Sequence, residues 1–381
     1  MMSSAWQKRI EIAKPYFDEK EQNAVAEVIK SGWVSQGPKV KEFEEVFARY
    51  VGARHAIAVT SCTTALHLSL VALRIGGGDE VIVPSLSFIA TANSVVHSGA
   101  KPVFVDVNPY TCNMDAEKIE KLITDKTVAI MPVHQMGLPA DLGAIGEIAV
   151  KYRLRIIEDA ACAIGSEYKR KKIGSHGNIA CFSFHPRKII TTGEGGMITT
   201  DDGEIAAKLS LLRHQGMSVS DMERHSANKI IIESYPQVGF NYRMTDIQAA
   251  IGLVQMEKLP DILNKRRKIA ERYDGTFKEI KCIRIPEVPD YAVNNYQSYS
   301  IELLGNAPVT RNSFMEKMLD AGIHTRRGIM AIHREPCYVM NKVELPNTDR
   351  ISENSLILPL HPSMSDEEIQ HVIKCVHSFL S

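Results

Sequence analysis

Three short segments carry side chains whose types and spacing could do chemistry together. Ser61-Cys62-Thr63-Thr64 follows the strand-like run 56–59 and opens a helical stretch. Small hydroxyl residues at a helix start leave backbone N–H groups free to face an anion, and they serve equally well as a plain N-cap. Glu158-Asp159-Ala160-Ala161 ends the strand-like run 155–158. Ligands in open α/β sheets bind at the carboxyl ends of strands. An acid there can hold a cationic ring nitrogen, a contact worth about 4 kcal/mol at ~4 Å and an effective dielectric of ~20. It can also simply cap a following helix. The third segment, Ser183-Phe184-His185-Pro186-Arg187-Lys188, continues through Thr191-Thr192-Gly193-Glu194-Gly195-Gly196 into the strand-like run 197–200. A lysine on such a loop is ordinarily a surface cation. Here it is flanked by a serine and by a glycine turn that forces the backbone close, and lysine amines form Schiff bases when their surroundings lower the pKa. The chain has no G-x-x-x-x-G-K-[ST] and no strand-linked G-x-G-x-x-G, so neither a triphosphate cradle nor a dinucleotide fingerprint is supported.

The elements that must position these residues follow from hydrophobic periodicity. Runs 81–84, 102–107, 128–133, 155–158 and 179–184 are short, apolar and β-branched or aromatic. Helical text lies between them, as in 64–73, where Leu66, Leu70 and Leu73 share one face and Gly76, Gly77 and Gly78 are expected to stop the helix. Continuous apolar strands separated by helices predict an α/β architecture, a largely parallel sheet covered on both faces. From Ile247 to about Tyr273 the sequence is helical, with Lys265, Arg266, Arg267 and Lys268 as an exposed face. Pro286 and Pro289 mark a loop, 296–303 reads as a strand, and helices are expected near 311–321 and 366–379. Residues 1–255 are therefore expected to form a large domain and 256–381 a smaller α+β domain, with the N-terminal segment able to pack on the smaller one. The basic run Lys169-Arg170-Lys171-Lys172 reads as a solvated turn.

Composition limits the functions open to such a chain. Its 381 residues suggest two or three domains at ~150 residues each. Lys plus Arg and Asp plus Glu number 45 each, so no net positive charge recommends a nucleic-acid partner. No apolar run approaches the ~18 residues of a spanning helix, and the first residues lack the continuous apolar stretch of a signal peptide. The seven cysteines (Cys62, Cys112, Cys162, Cys181, Cys282, Cys337, Cys375) are scattered, with no Cys-x-x-Cys pair and no histidine at metal-ligand spacing. Reduced thiols in a cytoplasmic protein without a metal site are the expectation.

Five runs, in order and normally spaced, carry a family resemblance: T-S-C-T-T-A-L-H-L from Thr60, V-I-V-P-S-L-S-F-I-A-T-A-N from Val81, E-D-A-A from Glu158, F-S-F-H-P-R-K-I-I-T-T-G-E-G-G from Phe182, and G-F-N-Y-R-M-T-D-I-Q-A-A-I-G from Gly239. From about Ile12 to the C-terminus the chain resembles the DegT/StrS family of nucleotide-sugar aminotransferases, which use pyridoxal 5'-phosphate (PLP). The resemblance implies fold type I: a seven-stranded, mostly parallel sheet flanked by helices, plus a smaller C-terminal α+β domain. It implies that Lys188 holds the cofactor as a Schiff base and carries the 1,3-proton shift, and that Asp159 keeps the pyridine nitrogen protonated. Phe88 matches the aromatic that stacks on the ring, or is a core phenylalanine. Cys62, Thr63 and Ser183 match the phosphate cup, and Asn241 matches the residue that reaches the phosphate of a neighbouring subunit, which implies a homodimer with shared sites.

One position departs from the pattern. Cys162 stands where the family commonly has a Gln that contacts the ring hydroxyl, and a thiol is a weak donor; Cys162 could instead be a small apolar filler. Family dehydratases carry His in place of the Schiff-base lysine, so Lys188 favours transamination, with L-glutamate as donor. His185 with Glu194 resembles members that aminate C4 of a 4-keto-6-deoxy sugar, whereas C3-acting members more often show Asp in that turn. Trp33 in Gly32-Trp33-Val34-Ser35, His134, Arg243, Arg326 and His333 lie where the family approaches the sugar and its diphosphate. A dehydratase or lyase acting on a similar sugar, and a cofactor-holding regulatory protein on the same fold, are the competing readings.

Overall fold

The computed structural model describes residues 9–219, 224, 227–339 and 343–380. Seven strands form the main sheet: β1 (His55–Val59), β2 (Glu80–Pro84), β3 (Lys101–Val105), β4 (Thr127–Ile130), β5 (Arg155–Asp159), β6 (Ile179–Ser183) and β7 (Gly196–Thr200). Their spatial order is β1-β7-β6-β5-β4-β2-β3, and β7 alone runs antiparallel to its neighbours. The remaining contacts are parallel, as continuous apolar runs require when helices cover both faces. A seven-stranded, mostly parallel sheet is thus the architecture that the sequence predicts.

The chain-order crossovers place the carboxyl ends of β5 and β6 side by side, with β1 reached through the antiparallel β7. One register line, Val59–Gly196–Ser183, crosses β1, β7 and β6. Helices α1 (Glu19–Ser31) and α2 (Pro38–Val51) precede β1, and that line sets the serine of the third segment level with the start of helix α3 (Cys62–Ala72), which follows β1 directly.

Three local expectations change. The run 128–133 pairs as a regular strand only to Ile130, and Pro132, which has no N–H to donate, interrupts the ladder. Helix α3 ends at Ala72, ahead of the three glycines: Leu73 is its C-cap, and Arg74, at φ 61°, makes the left-handed turn. Arg266 also leaves the expected exposed face. It is 4% exposed, donates from Nε to the Tyr296 carbonyl (3.0 Å) and from Nη2 to the Gln297 carbonyl (2.7 Å), and burial pulls its pKa down to about 9. Three-and-a-half-residue periodicity places Arg266 beside the buried Ile262, Leu263, Ile269 and Ala270, and two backbone carbonyls make its burial tolerable.

The long helix Asp246–Phe277 runs without a break through residues 255 and 256. Beyond it lies an antiparallel four-stranded sheet in the order Ile283–Arg284, Tyr299–Leu303, Ser355–Leu358, Arg326–Arg327. Helices Arg311–Asp320 and Asp366–Leu380 bury Phe314, Met318, Val372 and Val376 against it. The N-terminal segment joins this layer: Ile10 exchanges hydrogen bonds with Gly322 (2.8 Å) and His324 (3.0 Å). Lys169 and Arg170, both at positive φ, turn a short hairpin between Glu167–Tyr168 and Lys171–Lys172. Among the described residues no helix is long and apolar enough to cross a membrane.

Candidate active site

At the start of α3, Ser61 forms a capping box with Thr64: the Ser61 hydroxyl accepts from the Thr64 N–H at 3.1 Å and Thr64 Oγ1 accepts from the Ser61 N–H at 3.0 Å. The Ala65 N–H goes to the Ser61 carbonyl. Among the described residues no acceptor meets the N–H groups of Cys62 and Thr63. The N-cap and the anion site are therefore the same device: capping absorbs the third N–H and leaves the first two for a ligand. Gly196 makes the place tight. A Cβ on it would stand 2.5 Å from the Ser61 carbonyl atoms and 2.8 Å from the Cys62 nitrogen, so only glycine lets β7 pass beneath the helix start. The Cys62 thiol itself donates to the Cys181 carbonyl (3.4 Å), and burial holds its pKa well above the ordinary range. Cys62 thus offers its backbone, and its sulfur is inert packing.

Asp159 ends β5 and is 5% exposed. No helix follows it: Oδ1 accepts from the Ala161 N–H (3.1 Å) in a turn, so the helix-cap reading falls away. Oδ2 accepts from the Thr91 hydroxyl at 2.8 Å. Each oxygen has a second lone pair, which leaves the carboxylate able to take one more donor.

Lys188 reaches back over the strand ends, and its Nζ donates to Cys162 Sγ at 3.1 Å. Burial pushes the Lys188 pKa down, while Cys162, Cys62 and Asp159 push it up, and the upward pull prevails. These four groups thus lie close enough to sense one another's charge. The loops that carry them are clamped from the C-terminal layer. Asn295 Nδ2 donates to the carbonyls of Cys162 (2.7 Å) and Ile164 (2.8 Å), and Gln297 Nε2 donates to the carbonyl of Arg187 (2.5 Å).

Cys62, Thr63, Asp159, Cys162, Ser183 and Lys188 meet at this end of the sheet, and Phe88, 64% exposed, is no core residue. His185 and the exposed Glu194 sit close enough to sense each other's charge; burial lowers the His185 pKa and Glu194 opposes it. Arg243 bridges to Val59, places Nη1 2.9 Å from His214 Nδ1 and donates from Nε to Asn241 Oδ1 (3.2 Å).

The other expected contacts lie elsewhere. His134 is fully buried: the Ala140 N–H donates to its Nδ1 (3.0 Å), so its Nε2 donates to Glu158 (3.0 Å), and neither nitrogen is left for a sugar. His333 is buried between Ser85 Oγ (2.7 Å) and Asp349 Oδ1 (3.1 Å). Trp33 folds over Gly37, its Nε1 donating to the Gln36 carbonyl (3.1 Å). Arg326 is an exposed residue of the four-stranded sheet. Thr91, Asn295 and Gln297 were not foreseen from sequence, although Ser87 and Thr91 at i, i+4 beside Phe88 were a readable signal.

These residues fit PLP. Two unclaimed N–H groups could take its phosphate, a carboxylate with spare lone pairs its ring nitrogen, and the lysine amine its aldehyde. The model of the DegT/DnrJ/EryC1/StrS aminotransferase family matches residues 15–377. The chain belongs to that family. This aminotransferase is 43% identical to the GDP-perosamine synthase of Caulobacter vibrioides, across 98% of both chains. It is 40% identical to the spore coat polysaccharide biosynthesis protein SpsC of Bacillus subtilis, across 96% of both. The Streptococcus pneumoniae protein Spr1654, solved in its PLP form, superposes with a TM-score of 0.90 at 29% identity, over 98% of this chain and all of the other. A PMP form of the same protein gives 0.91. This aminotransferase, like its family, uses PLP.

Proposed function

We propose that this sugar aminotransferase moves the amino group of L-glutamate onto C4 of a nucleotide-diphosphate-linked 4-keto-6-deoxy sugar, as a homodimer whose sites draw on both subunits. The observation that carries the reading is the Lys188 amine, 3.1 Å from Cys162 Sγ and within reach of the Asp159 charge, at the same end of the sheet as the open N-terminus of α3. PLP bound there supplies an electron sink for the carbon that gains or loses nitrogen.

The chain's own residues do the rest. The Cys62 and Thr63 N–H groups and the Ser183 hydroxyl bind the phosphate, assisted by about half a charge at the helix start. Asp159 holds a proton on the ring nitrogen. Lys188 Nζ would take up and return the proton at the substrate carbon, once for the donor and once for the sugar, in a two-stage path. Burial lowers the His185 pKa and so favours its neutral imidazole, which can exchange a hydrogen bond with the sugar oxygen. Supporting a nucleotide-linked sugar are the Caulobacter relative's name and a further neighbour, DesI, solved with its TDP-sugar product (TM-score 0.89). The seven unpaired thiols support a cytoplasmic location.

A panel of nucleotide-linked keto sugars incubated with L-glutamate tests the proposal. The expected product has gained nitrogen and lost oxygen by mass, with the amine at C4 by NMR. An amine at C3 would overturn the position, and a dehydrated, nitrogen-free product would make the protein a dehydratase. A cofactor spectrum unmoved by glutamate would overturn the choice of donor.

A further inference from the structure

We infer that Thr91 and Ser87 form a hydroxyl relay that orients the Asp159 carboxylate for its contact with the cofactor ring, making both positioning residues for the reaction. Ser87 and Thr91 are each 1% exposed, on the stretch that leaves β2 and enters the helix Ala90–His97. Thr91 Oγ1 lies 2.8 Å from Asp159 Oδ2 and 2.8 Å from Ser87 Oγ. A carboxylate only accepts, so Thr91 gives its single hydroxyl proton to Asp159. In the contact with Ser87 the Thr91 oxygen therefore accepts and the Ser87 hydroxyl donates. The order is fixed: Ser87 to Thr91 to Asp159.

Both ends of the relay are anchored. The Ser87 N–H donates to the carbonyls of Ser85 (3.1 Å) and Met330 (3.2 Å), and the Thr91 N–H donates to the Phe88 carbonyl (3.1 Å). Phe88 thus sits in the turn spanned by the two hydroxyls, so one stretch of chain sets both the exposed aromatic ring and the carboxylate's partner. With the Ala161 N–H on Oδ1 and Thr91 on Oδ2, the plane of the carboxylate is held from both sides, and its remaining lone pairs keep one direction. A hydrogen bond to a charged group inside a protein is among the stronger kinds, and polarisation along a chain of donors strengthens it further.

The inference rests on the proposed role of Asp159, and the test separates the two. In the PLP-loaded enzyme, Thr91→Val keeps the shape and removes the donor, whereas Thr91→Ser keeps the donor. A less firmly held carboxylate leaves the ring nitrogen less positive. A less positive ring disfavours a proton on the cofactor–Lys188 nitrogen less, so the pH midpoint of the visible absorption change moves up. Thr91→Val is expected to raise that midpoint and lower turnover ~10- to 100-fold, with Thr91→Ser restoring both to near the parental values. Ser87→Ala should move the midpoint in the same direction by less. A Thr91→Val enzyme that titrates and turns over like the parent overturns the inference, as does a Thr91→Ser enzyme as impaired as Thr91→Val. Should Thr91→Val fail to fold, Ser87→Ala decides, and an unmoved midpoint overturns the relay. An Asp159→Ala enzyme with the parental titration would overturn the role of Asp159 and the relay with it; an impaired Asp159→Ala beside an unimpaired Thr91→Val would overturn the relay alone.

Discussion

Lys188 and Cys162 face each other at 3.1 Å, and their contact sets two expectations at the scale of single residues. Lys188→Ala should abolish turnover while PLP still binds noncovalently through the N–H groups of α3. Borohydride, which fixes the cofactor to a lysine, should then fix none; full incorporation in the variant would mean that another amine holds the cofactor. Cys162→Gln should be tolerated, because Asn295 grips the residue-162 carbonyl, which the swap keeps. A normal melting temperature with turnover within a few-fold of the parent is the expected result, and an unfolded variant would show a pocket shaped around the smaller side chain. At this scale the sequence was most informative where a residue type and its local motif coincide, as for Lys188 and Asp159. It could not name the partners of Thr91 and Asn295, which are 68 and 133 positions away. It misplaced His134 because a histidine's motif position says nothing about which face of a strand end its ring occupies.

Among elements, the junction of β7 with the start of α3 is the most exacting. Residue 196 has the backbone of Ser61 and Cys62 against it, with no flexible side chain able to yield. Gly196→Ala should therefore push the helix start away, costing ~1–3 kcal/mol of stability. PLP affinity, read by equilibrium dialysis, should fall by more than it does for an alanine at the exposed Gly193. Equal affinities in the two variants would show that the phosphate is held elsewhere. The strands and helices themselves were legible, because apolar runs and helical periodicity are local signals. Their ends were less so. Pro132 cut one ladder short, Arg74 rather than a glycine turned the end of α3, and Arg266 went inward because carbonyls from a remote loop could receive it.

At the scale of the whole molecule, the proposed homodimer can be tested through its shared sites. Asn241 is exposed in its own chain, and a carboxylate there would repel a neighbouring subunit's cofactor phosphate. Asn241→Asp and Lys188→Ala should each be inactive alone. Mixed under conditions of subunit exchange, about half the dimers are hybrids, each with one intact site, so about a quarter of all sites should recover. No recovery, with exchange demonstrated by mass, would confine Asn241 to its own chain. The expectation of paired subunits comes from the resemblance alone, since an exposed asparagine has no local signature of a partner. Nitrogen transfer from L-glutamate to the sugar decides the proposed function. L-Glutamate carrying an isotope-labelled amino group, a nucleotide-linked 4-keto-6-deoxy sugar and the PLP-loaded enzyme should yield a sugar with the label bonded to C4, and none with the Lys188→Ala enzyme. Label that stays on glutamate, or that reaches the sugar without Lys188, would contradict it.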